Sequence, residues 1–105
     1  MKRLENKVAV VTGVGSGIGK AIANAFADEG ASLGIGDINE NLLSKTTDSL
    51  KTKTDKIMSI KTDVSSEDQV KKLIDETVNT YGKLDIIVNN VSVAIGGYPI
   101  TDMSN

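Results

Sequence analysis

Val8-Ala9-Val10-Val11-Thr12-Gly13-Val14-Gly15-Ser16-Gly17-Ile18-Gly19 runs from an unbroken apolar segment into four glycines within seven residues. An alanine-rich segment, residues 20–29, follows directly. The order is strand, glycine turn, helix, which is what a phosphate-binding loop requires. Without a Cβ, glycine takes positive φ and lets the main chain approach a ligand. The first amides of the helix lack intrahelical partners and sit at the positive end of its dipole. A diphosphate fits there without help from a basic side chain. The other reading, a flexible glycine linker, suits a stretch between two well-patterned elements poorly.

The spacing then narrows the choice. A literal G-x-G-x-x-G beginning at Gly13 needs glycine at position 18, where Ile18 stands. The chain instead has G-x-x-x-G-x-G at Gly13, Gly17 and Gly19. A P-loop is excluded as well, because Ala21 follows Lys20 where a magnesium-binding hydroxyl belongs. T-G-x-x-x-G-I-G after an N-terminal strand resembles the short-chain dehydrogenase/reductase family.

Working outward, residues 8–11 form the continuous apolar run of a strand covered on both faces. The next helix places Ile18, Ile22, Ala25 and Phe26 at 3.6-residue spacing and stops at Gly30, a natural C′ residue. Residues 31–36 read as a second strand, in which Gly34 and Gly36 mark close approach of a backbone or ligand. Asp37 ends it. Asn39 caps a helix with Leu42, Leu43, Thr46 and Leu50 inside and lysines and threonines outside. Residues 56–61 form a third strand, and Ser66 with Gln69 a capping box for a helix whose apolar face runs Val70, Leu73, Ile74, Thr77, Val78, Tyr81. Gly82 closes that helix, and residues 84–88 form a fourth strand. Residues 93–105, with Gly96-Gly97 and Pro99, read as a loop, within which Thr101 or Ser104 offers a helix cap.

Four strands alternating with three helices predict an α/β fold with a parallel sheet. Right-handed crossovers give the order 3-2-1-4, with the first two helices on one face and the third on the other. The reversal between the first and fourth strands opens the crevice where nucleotides bind. The expectation is one Rossmann-type doubly wound domain over residues 1–105, incomplete.

Composition excludes several classes. Net charge is −2, with 39% hydrophobic and 25% charged residues, and no basic run suggests a nucleic-acid partner. Cysteine and histidine are both absent, so there is no disulfide framework, thiolate metal site or imidazole triad. No apolar run approaches the roughly 20 residues of a membrane span. The start of the chain turns charged too soon for a signal peptide. A soluble, cytoplasmic protein is the default expectation.

Asp37 lies 18 residues beyond Gly19. A carboxylate there accepts from the adenosine ribose hydroxyls and repels a 2′-phosphate, favouring NAD(H) over NADP(H). Residues 36–44 contain no lysine or arginine to welcome that phosphate. Alternatively, Asp37 belongs to the first turn of the following helix with Asn39. Asp63 either meets the adenine, as the resemblance implies, or is a turn residue bonded to amides near Ser65 and Ser66. Lys20 reads as a solvated surface lysine, Tyr81 as core, and Tyr98 as an unassigned loop residue.

The resemblance implies cofactor contacts from Gly13, Gly15, Ser16, Gly17, Ile18, Gly19, Asp37, Ile38, Asp63, Val64 and Asn90. In the family's N-N-A-G, the first Asn holds adjacent strands through main-chain bonds and the second lies along the cofactor. Here Asn89-Asn90-Val91-Ser92 stands in that place, with Val and Ser for Ala and Gly. The family transfers hydride between a nicotinamide and an alcohol or carbonyl, using a serine and a tyrosine with lysine at i+4. Neither tyrosine qualifies: Tyr81 has Asp85 at i+4, and Tyr98 has Asp102. The resemblance thus covers nearly all of this chain but less than half of a complete member. It supplies no catalytic residue and no metal site. A non-catalytic dinucleotide-binding or redox-sensing module, and an S-adenosylmethionine methyltransferase, remain as alternatives. The glycine spacing and the Asn pair favour the dehydrogenases over the latter. Finally, Leu84, Ile86, Ile87 and Val88 form a bare edge strand, so self-association is expected.

Overall fold

A computed structural model describes residues 3–15, 17–89, 93–95 and 98–100, the last two segments as backbone only. Strand β1 (Val8–Thr12) is buried along its whole length. Helix α1 (Gly17–Asp28) follows the glycine turn, then β2 (Ser32–Asp37) and α2 (Glu40–Lys51). Strand β3 (Ile57–Lys61), α3 (Glu67–Tyr81) and β4 (Ile86–Asn89) complete the alternation. The four strands are parallel in the order β3-β2-β1-β4. The α/β sheet is therefore the one that the crossover rule demands.

The period of two along each strand separates two faces. Ala9, Val11, Leu33, Ile35 and Val88 join Ala23, Ala27, Leu43 and Leu50 in one apolar cluster beneath α1 and α2. Each large aliphatic side chain so buried contributes about 1.5–3 kcal/mol relative to exposure. The other face of β2 carries Gly34 and Gly36 against α3. A Cβ on Gly34 would overlap the Thr77 side chain, and one on Gly36 would lie 2.6 Å from Thr62 Oγ1 and 2.9 Å from Leu73 Cδ2. The nearest neighbours of these glycines are thus side chains, two from α3 and one just past the end of β3.

Helix α1 departs from the expected face. Ile18 is 61% exposed and Ala25 is exposed, whereas Gly19, Ala23 and Ala27 are buried. Ile22 and Phe26 flank the cluster, partly buried. Small residues at i, i+4 and i+8 let the helix axis sit close to the sheet, which outweighs the size of the isoleucine. The helix ends as expected: Gly30 has φ 90°. Its N–H donates to Ala27 O at 3.1 Å and that of Ala31 to Phe26 O at 3.0 Å, a Schellman motif.

Two further expectations on α2 fail. Leu42 is 37% exposed, at the rim, and Thr47 is buried instead of facing solvent. Thr47 is tolerated inside because its Oγ1 donates to Leu43 O at 2.7 Å. Asn39 caps the helix as read, its Oδ1 accepting from Leu42 N at 3.0 Å. At α3, Ser66 Oγ accepts from Gln69 N at 3.3 Å. The reciprocal capping-box bond goes elsewhere: Gln69 Oε1 accepts from Asp63 N, because Ser66 N already donates to Asp63 O.

The stretch read as a loop contains two strands, β5 (Val93–Ile95) and β6 (Tyr98–Ile100), paired antiparallel with Ala94 opposite Pro99. In the sequence Gly96-Gly97 stands between them, a dipeptide that two-residue hairpins favour, and the proline is tolerable in a ribbon of two strands among the described residues. Thr101 and Ser104 lie outside the described residues.

Candidate functional site

The carboxyl ends of β1 and β2 meet at the glycine turn. Gly13 and Gly17 take positive φ, 68° and 42°, which an L side chain adopts only with strain. Gly13 N donates to Gly36 O at 2.9 Å, so the turn hangs from the end of β2. Gly15 is required for space: a Cβ there would lie 2.7 Å from Leu42 Cβ and 2.9 Å from Asp37 Oδ2. The loop therefore lies tight against the first turn of α2. The first-turn amides of α1 have no capping carboxylate among the described residues, since the helix has no acidic residue there.

Asp37 ends β2 facing this loop. Its Oδ2 accepts from Gly15 N at 2.8 Å and its Oδ1 from Asn39 N at 2.8 Å. Asp37 thus belongs to the α2 entry turn, as one of its two readings had it, and its carboxylate also points at the glycine loop. A carboxylate has about four acceptor sites, so these two bonds leave capacity on both oxygens. The sequence window around Asp37 holds no cation, but the strand register sets Lys61 of β3 opposite it. Lys61 Nζ lies 3.7 Å from Glu40 Oε1, an exposed pair. Only the fold brings that ammonium near.

Asp63 stands just past β3, half-buried, with Val64 half-buried beside it. Its Oδ1 accepts from Ser65 Oγ at 2.6 Å and Ser65 N at 2.9 Å. The Ser65 hydroxyl, and then its amide, hold the carboxyl below its ordinary value of 3.8. This is the turn role. At the end of β4, Asn89 Oδ1 accepts from Thr12 Oγ1 at 2.7 Å, joining its register partner on β1. The strand ends are thus tied by this side-chain bond in addition to the parallel β1–β4 ladder. Ser16, Asn90, Val91 and Ser92 lie outside the described residues.

Ile18, Ile38 and Leu42 are the exposed large hydrophobics among the described residues, and all three border the loop and the carboxyl ends of β1 and β2. Gly19 is buried on the side of α1 that packs on the sheet. Thr46, read only as part of the helix core, reaches the loop: its Oγ1 donates to Val14 O at 3.1 Å. The bond spans 32 residues, and no local pattern announces it. Tyr81 is half-buried at the other end of the sheet, where burial, and then the charge of Asp55, push its phenol above 10.0. No group of three or more His, Cys, Asp or Glu poised for a metal occurs among the described residues. No described helix is long and apolar enough to cross a membrane.

A four-stranded 3-2-1-4 sheet with a glycine turn at the reversal defines a Rossmann-like dinucleotide fold. The chain belongs to the short chain dehydrogenase family, whose profile matches residues 7–105. It is 44% identical over 93 residues to the uncharacterized oxidoreductase YxbG of Bacillus subtilis (strain 168), covering 89% of this chain and 34% of that protein. The crystal structure of a short chain dehydrogenase/reductase from Burkholderia phymatum in complex with NAD superposes with a TM-score of 0.82 at 37% identity, over 90% of this chain and 34% of that one. The 3-ketoacyl-(acyl-carrier-protein) reductase of Brucella melitensis, complexed with NADH, gives 0.77 at 33% identity, over 87% and 36%. The chain spans about a third of the length of these relatives. It corresponds to part of a short chain dehydrogenase, the part that carries the glycine turn and the 3-2-1-4 sheet.

Proposed function

We propose that this chain holds NAD(H), in preference to NADP(H), as the cofactor-binding part of an oxidoreductase acting on an alcohol or carbonyl compound. Bound there, the nicotinamide supplies or accepts the hydride. The residues of this chain do the holding. Main-chain amides at Ser16, Gly17, Ile18 and Gly19 form the diphosphate cradle at the mouth of α1, while Gly13 and Gly15, whose own amides donate to Gly36 O and Asp37 Oδ2, shape the turn that presents it. Asp37 accepts from the ribose hydroxyls with the acceptor capacity its two amide bonds leave. Ile38 and Val64 line the adenine, Asp63 meets its amino group, and Asn90 lies along the nicotinamide half.

The observation that carries this reading is the bond from Gly15 N–H to Asp37 Oδ2, which ties the glycine loop and the carboxylate into one unit. The exposed Ile18, Ile38 and Leu42 beside it support it, since isolated apolar side chains gathered at one crevice suit a stacked aromatic base. The preference for NAD(H) rests on charge. Asp37 and Glu40 set two carboxylates against the single ammonium of Lys61, and the exposed Lys61–Glu40 pair is weak. A 2′-phosphate would meet net negative charge.

Calorimetric titration of the chain with NADH, NADPH and S-adenosylmethionine tests the reading. NADH binds more tightly than NADPH, and Asp37→Asn narrows the gap by removing the charge. A response to S-adenosylmethionine with none to NADH would overturn it. The hydride-transfer part is tested in the coding DNA beyond Asn105, where an in-frame serine and Tyr-x-x-x-Lys are expected.

A further inference from the structure

The peptide unit between Val14 and Gly15 is held at both of its polar ends by side chains from distant parts of the chain. Its carbonyl accepts from Thr46 Oγ1 of α2 at 3.1 Å, and its N–H donates to Asp37 Oδ2 of β2 at 2.8 Å. The C=O and N–H of one peptide lie in one rigid plane, so a bond at each end fixes its rotation. Thr46 is 1% exposed and Val14 0%, so neither partner can turn to water instead. Packing reinforces the clasp, since Gly15 has room for no Cβ between Leu42 and Asp37.

We infer that Thr46 is a positioning residue for dinucleotide recognition: its hydroxyl sets the Val14–Gly15 peptide plane, and that plane aims the Asp37 carboxylate at the ribose. The inference rests on the proposed NAD(H) site and adds a residue to it that makes no contact with the cofactor. Without the hydroxyl, the Val14 carbonyl is buried with one partner fewer and the plane is free to turn. Gly15 N–H then leaves Asp37, whose carboxylate keeps only its Asn39 anchor among the described residues. Both the grip on the ribose diol and the repulsion of a 2′-phosphate weaken together. A threonine that merely satisfied its own buried hydroxyl would affect melting but leave cofactor choice alone.

Thr46→Val keeps the side-chain shape and deletes the donor, while Thr46→Ser keeps the donor and trims a methyl. Titration of the chain with NADH and NADPH is paired with amide hydrogen exchange at Gly15 in the absence of cofactor. Thr46→Val weakens NADH by ~10-fold, the scale of one buried polar group left short of a partner, and narrows the NADH/NADPH ratio. It also speeds exchange at Gly15, whereas Thr46→Ser behaves as the wild type in both measurements. An unchanged ratio with unchanged Gly15 exchange in Thr46→Val overturns the inference, as does an equal loss in Thr46→Ser. If the wild-type chain binds neither dinucleotide, the proposed function fails and the recognition half of this inference with it. The exchange rates at Gly15 then decide the clasp separately.

Discussion

Gly34→Ala places one methyl group between β2 and α3, and the geometry sets its cost. The added Cβ would overlap Thr77 Oγ1 and lie 2.9 Å from Thr77 Cγ2 and 3.0 Å from Thr77 Cβ. Thr77 cannot swing clear. Its Oγ1 donates to Leu73 O at 2.7 Å, and rotating about χ1 to turn the hydroxyl away breaks that bond where Thr77 is fully buried. The helix itself must then lift, which also opens the contact between Leu73 and Gly36. Overpacking of this kind costs about 2 kcal/mol, which lowers the melting temperature of a domain this size by ~8–16 °C. Thermal denaturation followed by circular dichroism measures it. The double variant Gly34→Ala/Thr77→Ala should recover most of the loss, because only the Cβ at 3.0 Å remains in the way. The expected coupling in the mutant cycle is therefore about 1–2 kcal/mol, favourable to the pair. Wild-type melting of Gly34→Ala, or strict additivity in the cycle, would refute the close-packing account of β2.

Asp85 governs an acid-sensitive contact: its Oδ2 accepts from Val8 N at 2.8 Å, and that bond, foremost, holds its carboxyl below the ordinary 3.8. A depressed pKa stabilises the fold above the unfolded value and loses that stabilisation as pH falls through the folded one. Acid melting curves should therefore drop more steeply below about pH 4 for the wild type than for Asp85→Asn, and parallel curves would contradict this. β4 ends the sheet order and has no partner on its outer edge among the described residues. Sedimentation of the chain at rising concentration should show association that Ile87→Lys reduces, while a monomer at every concentration would count against edge pairing.

The features legible in the sequence are those set by local chemistry and by handedness. The glycine turn, the cap at Asn39, the Schellman glycine at Gly30 and the 3-2-1-4 order each follow from a few adjacent residues or a chain-crossing rule. What escaped depends on distances between segments. Apolar size pointed to Ile18 as core in α1, but closeness to the sheet selected Gly19, Ala23 and Ala27. Gly34 and Gly36 suggest the approach of a backbone or a ligand, because nothing in β2 reveals that Thr77 and Leu73 arrive from α3. Thr47 counted as surface by residue type, and only its bond to Leu43 O makes its burial tolerable. At the site, Asp37 was visible from its place after β2. Lys61 and Thr46 were not, because register and a 32-residue span bring them there. Asp63 was visible as a residue, while its engagement by Ser65 was one of two open readings. The β5–β6 pairing was missed although Gly96-Gly97 between two apolar triplets was its signal.

The glycine and alanine seam of α1 makes that helix a lever. Ala27 lies eight positions beyond Gly19, ~12 Å along the axis, and is 1% exposed. A bulkier residue at Ala27 would prop up the far end with Gly19 as the fulcrum, tipping the amides of the opening turn out of alignment. Substitutions at the opposite pole of the molecule from the crevice would thus disturb the proposed cofactor cradle while every residue lining it stays unaltered.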